Sequence, residues 1–220
     1  MYSAAEEDYL KVMLDLEQSG SPATTGAIAD RLGVRPASVT GMLRRLAKQK
    51  LIAYQPYRAS KLTVTGRNAA VATLRRHRLI ELFLVRRLGL PWDAVHAEAE
   101  RWEHVVSEEV VDLMDADLGH PTRDPHGSPI PSADGHLALA PTRPLSEFSE
   151  GERVRVVELR DRDPELLRYL GELGIVPDAR VVIVKVEPFN GPITLRIRRR
   201  TVVTGRDAVR HVLAVRRIES

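Results

Sequence analysis

Apolar positions recur at helical spacing over the first 118 residues and alternate at strand spacing from residue 152 onward. Residues 4–72 carry short helical patterns and one hairpin, and residues 67–118 read as two longer helices. Residues 119–151 hold six Pro and four Gly, which predicts a linker or an irregular loop. Beyond them RVRVVEL, ARVVIVKVE, ITLRIR and HVLAVRRI alternate apolar and polar residues, with the turn NGP at 190–192 between two of the runs. Four or five short strands in so little chain predict a small barrel, not an extended sheet.

Residues 24–52, TTGAIADRLGVRPASVTGMLRRLAKQKLI, have helix–turn–helix punctuation. Thr24 or Thr25 can cap a helix that turns Ile28, Ala29 and Leu32 to one side. Gly33 permits the turn, and Pro36 suits a first helical turn, where no amide donor is required. The next helix sends Val39, Met42, Leu43 and Leu46 inward. Its other side offers Arg35, Ala37, Ser38, Thr40, Gly41, Arg44, Arg45 and Lys48. Small residues let a helix approach base edges, and flanking cations meet phosphate. LIAYQPYRASKLTVTGR, at 51–67, adds two strands with a basic tip carrying Arg58 and Lys61. The whole predicts a winged helix–turn–helix, against the plainer alternative of a helical hairpin with a solvated basic face.

Charge sharpens this picture. The net charge is only +3, yet residues 24–67 hold nine Lys or Arg against Asp30, while residues 93–117 hold nine acids against Arg101. Two partners of opposite sign are implied. A hydrophobic content of 43% and no cysteine suit a cytoplasmic globular chain and exclude thiolate chemistry and disulfides. No apolar run nears the roughly 18 residues of a membrane span, and MYSAAEEDYL lacks the form of a secretory signal.

The acidic stretch is dense in metal-binding groups. In HAEAERWEHV, at 96–105, Glu100, Glu103 and His104 share one helical face, with His96 a turn earlier. Upstream, RRHRLIELFL sets His77 and Glu81 four residues apart. Carboxylates brought this close repel unless a cation lies between them or some are protonated. A divalent metal resolves the conflict; a solvated Glu/His face is the competing reading. Enzyme patterns fail on spacing. ERWEH has Glu100 where an inverted zinc protease needs His, and no Glu-x-x-His recurs for a di-iron bundle.

Taken together, LTVTGR, RRHRLIELFL, LGLPWDAVHAEAERWEHVVS and DPHGSPIP resemble the diphtheria toxin repressor and manganese transport regulator family over nearly the whole chain. LSEFSEGERVRVV and LLRYLGELGIVPDARVVI resemble the Src-homology-3-like domain of its longer members. The resemblance implies a mainly α, multidomain chain: a winged helix–turn–helix DNA-binding domain at 1–72, a helical metal-binding and dimerisation domain at 73–140, and a small SH3-like β-barrel at 145–220. It implies a primary metal site of Asp8, Glu100, Glu103 and His104, and an ancillary site of His77, Glu81 and His96 to which Asp163 or Glu165 adds a carboxylate. On position alone, Asp8 is a first-turn carboxylate that suits the helix dipole. The DNA contacts implied are Arg35, Pro36, Ala37, Ser38, Thr40, Arg44, Lys48, Arg58 and Lys61. The partners implied are a second copy of the chain and a palindromic double-stranded operator, with no membrane. Oxygen at positions 8 and 100, where the iron-responsive branch has Met and Cys, favours Mn²⁺, with Fe²⁺ the alternative. Lys11 departs from the Glu of the shorter manganese regulators. A winged-helix regulator without metal gating and a metal-dependent hydrolase are the readings that compete.

Overall fold

The computed structural model describes residues 2–160 and 163–216. They form two compact units: one from residues up to 77 with 103–105 and 131–136, the other from 78–102, 106–130 and the chain from 137 onward.

In the first unit α1 (Ala4–Gln18) starts at a capping box. Ser3 N–H donates to Glu6 Oε2 at 2.8 Å, and Glu6 N–H donates to Ser3 Oγ at 3.4 Å, so exposed helix-start amides are satisfied in both directions. The inner face of α1 buries Leu10, Met13 and Leu14. Thr24, not Thr25, caps α2 (Thr25–Leu32), accepting from Ala27 N–H at 3.1 Å, and Gly33 ends it in the left-handed region at φ 63°. The third helix, α3 (Pro36–Lys48), begins at Pro36 and buries Val39, Leu43 and Leu46, as the spacing predicts. The hairpin is shorter than expected: β1 (Ile52–Ala53) pairs with β2 (Lys61–Leu62) over two residues each. The long helix α4 (Val64–Leu88) then begins in this unit and ends in the other.

The start of α4 is pinned to the end of the preceding turn. The Thr63 hydroxyl accepts from Gly66 N–H at 3.1 Å and donates to the Leu51 carbonyl at 2.9 Å. The approach is so close that a Cβ at Gly66 would lie 1.9 Å from the Leu51 oxygen.

In the second unit, the expected second long helix is two short ones, α5 (Val95–Trp102) and α6 (Glu108–Asp117). Ser107 caps α6, accepting from Val110 N–H at 3.4 Å, so a new helix starts there. Leu79 and Leu82 of α4 pack against Val111, Leu118 and Ile130. They are therefore core of their own unit, whereas Val110 and Leu113 stay exposed.

The C-terminal part is an antiparallel sheet. Its strands are β3 (Arg143–Pro144), β4 (Arg153–Leu159), β5 (Arg180–Val186), β6 (Ile193–Ile197), β7 (Arg200–Thr204) and β8 (Val212–Arg216), in the order β3-β8-β4-β5-β6-β7. Among the described residues no pairing joins β3 to β7, and the two-residue β3 lies at one edge of the order. A helix that the strand pattern had concealed, α7 (Pro164–Leu173), packs Leu167 and Leu170 into the sheet's apolar core. No helix among the described residues is long and apolar enough to cross a membrane.

Two glycines give opposite predictions. Gly66→Ala should destabilise the protein by about 1–3 kcal/mol in urea titration, because backbone must move. Gly41→Ala, inside α3 with nothing within 4 Å of its would-be Cβ, should stabilise it by about 0.5–1 kcal/mol.

Candidate metal centre

Within the first unit, α1 supplies Glu7, Asp8 and Lys11, α4 supplies His77, and the turn after α5 supplies Glu103 and His104. Asp8 and Lys11 are three residues apart on α1 and so share a face. Glu103 and His104 lie just beyond the last residue of α5, not on the helix as the spacing predicts.

Glu103 has 0% exposure. Its Oε1 accepts from Lys11 Nζ at 2.5 Å, and its Oε2 lies 2.5 Å from His77 Nδ1. Burial works against its charge. The hydrogen bond and charge of His77, then those of Lys11, outweigh burial and hold the carboxyl below its ordinary range. His104 Nε2 lies 3.0 Å from Asp8 Oδ1 and 3.3 Å from Glu103 Oε1. His104 Nδ1 lies 2.8 Å from Glu7 Oε2, and Glu7 is in turn held by Arg76 at 2.8 Å.

The donor atoms of Asp8, Glu103 and His104 lie within 4.8 Å of one another. First-row ions bind oxygen and nitrogen at about 2.0–2.2 Å, so donors on one ion stand up to about 4.4 Å apart. The grouping therefore fits a divalent ion with little adjustment. Glu7 completes the fit: a hydrogen bond from Nδ1 turns the other ring nitrogen toward the two carboxylates.

Glu100 lies in the second unit, 3.5 Å from His96 Nε2. The expected ancillary residues are likewise divided. His77 bonds Glu103 in the first unit, while Glu81 Oε1 meets His96 Nδ1 at 3.1 Å in the second. Asp163 caps α7, accepting from Glu165 N–H at 2.9 Å, and both residues are exposed.

The second unit holds a grouping that the sequence reading missed: Glu81, Asp124 and His126, all buried, with donor atoms within 4.8 Å. Asp124 Oδ1 accepts from the backbone N–H groups of His126 and Ser128 at 2.8 and 2.9 Å. Gly127, at φ 86°, lets this loop press against the Val157 carbonyl, 2.0 Å from where a Cβ would be. His126 Nε2 donates to the Trp92 carbonyl at 2.8 Å, which turns Nδ1 toward Glu81 at 3.7 Å. The carboxylate from the sheet that reaches this loop is Glu158, through Ser128 Oγ at 2.9 Å. The signal was DPHG, an Asx-turn sequence with an imidazole inside it, set in a stretch whose Pro and Gly content suggested a linker.

Arg35, which precedes α3, and Pro36, Ala37, Ser38, Arg44 and Lys48 on it are exposed, as are Arg58 and Lys61 beyond it; Thr40 is half-buried and donates to the Pro36 carbonyl at 3.3 Å. Arg45 differs: its guanidinium pairs with Glu6 at 2.8 Å.

The model of the iron dependent repressor N-terminal DNA binding domain matches residues 1–60, that of the iron dependent repressor metal binding and dimerisation domain residues 63–132, and that of the FeoA domain residues 143–216. The iron-dependent repressor IdeR of Mycobacterium leprae (strain TN) is 38% identical over 189 residues, 80% of this chain and 82% of that protein. The chain belongs to the diphtheria toxin repressor family. The diphtheria toxin repressor of Corynebacterium diphtheriae (strain ATCC 700971 / NCTC 13129 / Biotype gravis) is 34% identical over 162 residues, 70% of this chain and 72% of that one. A solved manganese-dependent transcriptional repressor in complex with manganese is 40% identical, with a TM-score of 0.91 over 96% of this chain and 99% of that chain. ScaR with bound Zn²⁺ is 28% identical, with a TM-score of 0.80 over 96% and 98%. The diphtheria toxin repressor family comprises DNA-binding repressors and not enzymes, so the hydrolase reading falls. Its FeoA part corresponds here to the SH3-like antiparallel sheet.

The buried grouping gives a pH prediction. Burial disfavours the His126 imidazolium, but the Glu81 hydrogen bond and charge, with the charge of Asp124, push it up to about 9. Because the folded value lies above the ordinary 6.5, this contribution to stability is complete below about pH 6.5 and is lost as pH rises through about 9. NMR titration of His126 in metal-free protein should give a midpoint near 9, and Glu81→Gln should bring it down; a wild-type midpoint near 6.5 contradicts the assignment.

Proposed function

We propose that this chain is a manganese-gated transcriptional repressor that binds a palindromic operator as a homodimer in the cytoplasm and controls genes of metal uptake. The coarser statement, a metal-dependent transcriptional repressor, follows from the family. In this reading the domains divide at 1–72, 73–140 and 145–220, and the first is a winged helix–turn–helix. The observation that carries the finer reading is the convergence of Asp8 from α1 with Glu103 and His104 from a turn 95 and more residues away in sequence.

A divalent ion at these donors supplies a positive charge shared by α1 and the turn. The chain's residues do the rest. Asp8 faces the other two donors only while α1 holds its present position. Two residues earlier on α1, Glu6 accepts from Gln49 Nε2 at 2.5 Å and pairs with Arg45 of α3. Drift of α1 therefore disturbs the placement of α3, whose exposed Arg44 and Lys48 are offered to phosphate. In a dimer, two such helices must meet half-sites about one helical turn apart, so a fixed α1 favours DNA binding and DNA binding favours metal in return. Exposed Val110 and Leu113 of α6 support a dimer contact there.

Two carboxylates and one imidazole suit Mn²⁺. Fe²⁺ is the second reading, favoured by relatives named iron-dependent repressors. Gel shift against the chain's own upstream DNA, across a panel of divalent ions under anaerobic conditions, ranks the two; undiminished binding in chelator would refute gating altogether.

Two variants separate the roles. Asp8→Ala should weaken Mn²⁺ binding by at least about tenfold and abolish metal-dependent gel shift, with the fold retained, since Asp8 is partly exposed. Arg44→Ala should leave metal affinity unchanged, weaken DNA binding across sequences and lower the salt slope by about 1. Glu103→Ala is the poorer test. It strands the buried Lys11 ammonium at a cost of about 3–5 kcal/mol, so loss of binding would report folding as well as metal.

A further inference from the structure

Lys11 is 3% exposed, and its Nζ lies 2.5 Å from Glu103 Oε1, in a unit that already directs Asp8, Glu103 and His104 at one another. The oxygen it occupies is the one 3.3 Å from His104 Nε2, which makes it the Glu103 atom nearest the metal position. An ammonium has three donors and no lone pair, so it serves as counter-ion and never as ligand. We propose that Lys11 is an internal cation that competes with the metal for Glu103: it keeps the metal-free unit folded and sets metal affinity lower than the same donors would give without it. The proposal rests on the reading that Asp8, Glu103 and His104 take a divalent ion.

Glu103 has no exposed surface, and an uncompensated buried carboxylate is costly, so the metal-free state needs cations within the protein. His77 and Lys11 supply contacts to one oxygen each. A metal on Oε1 stands within about 5 Å of the ammonium, given 2.5 Å from Nζ to Oε1 and about 2.1 Å from oxygen to ion. The ion then meets both a shared ligand and a like charge. Even with water-like screening, a double and a single charge at that distance repel enough to shift binding by roughly tenfold. A lysine that only braced α1 against Glu103 would have the reverse sign, since its loss would loosen the donors and weaken metal binding.

The test uses full-length Lys11→Met and Lys11→Arg. Thermal unfolding is followed without metal and with Mn²⁺, and Mn²⁺ affinity is measured by competition with a chelator of known affinity. Lys11→Met should lower the metal-free melting temperature, tighten Mn²⁺ binding by about tenfold, and regain most of the lost stability when loaded. Lys11→Arg, which keeps the charge, should bind Mn²⁺ within a few-fold of the wild type. If Lys11→Met folds only with metal, chelator competition on protein purified with Mn²⁺ gives the same comparison. Unchanged or weaker Mn²⁺ binding in Lys11→Met, with Asp8→Ala still impaired, overturns the role of Lys11 alone. Wild type and Asp8→Ala binding Mn²⁺ alike overturns the site itself and the proposal with it.

Discussion

A carboxylate sealed from water at Glu103 constrains much of the first unit. Such a charge survives only beside compensating groups, and here they come from two different helices, Lys11 of α1 and His77 of α4. The turn that carries Glu103 is therefore tied to both. The same turn carries His104, whose ring is set between Glu7 and Asp8. The charge at Glu103 and the contacts of His104 thus draw α1 and this turn to one place, where the donors of the candidate metal centre lie.

On the proposed reading, the connection from that point to DNA is short. α1 bears Asp8 and Lys11 toward the turn and, on the same helix, Glu6 toward Arg45 and Gln49 at the end of α3. α1, α2 and α3 share one apolar core through Leu10, Met13, Ile28, Leu43 and Leu46. Packed cores move between discrete arrangements and do not deform smoothly. In the proposed mechanism, a change in how firmly α1 is held is passed to α3 through this core. The buried trio Glu81, Asp124 and His126 has its own logic in the second unit, where backbone amides and Trp92 orient two of the three donors.

Much of this was legible in the sequence where local rules dominate. The spacing of Val39, Leu43 and Leu46, the cap at Thr24, the turn at Gly33 and the strand alternation after residue 152 all depend on neighbours a few positions away. What was not legible depends on distant partners. Nothing near Glu7 or Lys11 indicates a partner 92 or 97 residues on. Helical spacing extended the 96–104 pattern past Trp102, where Glu103 instead turns away to meet Lys11 and His77. Asp124 and His126 sat in a segment whose Pro and Gly suggested a loose linker, yet the glycine there allows tight packing. Family resemblance named Asp8, which spacing alone read as a helix-dipole carboxylate.

In the proposed mechanism a divalent ion fastens α1 to the turn at 103–105. Backbone hydrogen exchange of the full chain, with and without Mn²⁺ and with bound metal counted by atomic absorption, decides the matter. Metal should slow exchange in the first half of α1 and at 103–105 and leave β4 to β8 unchanged. Stoichiometric manganese with no change in the exchange of α1 would contradict it.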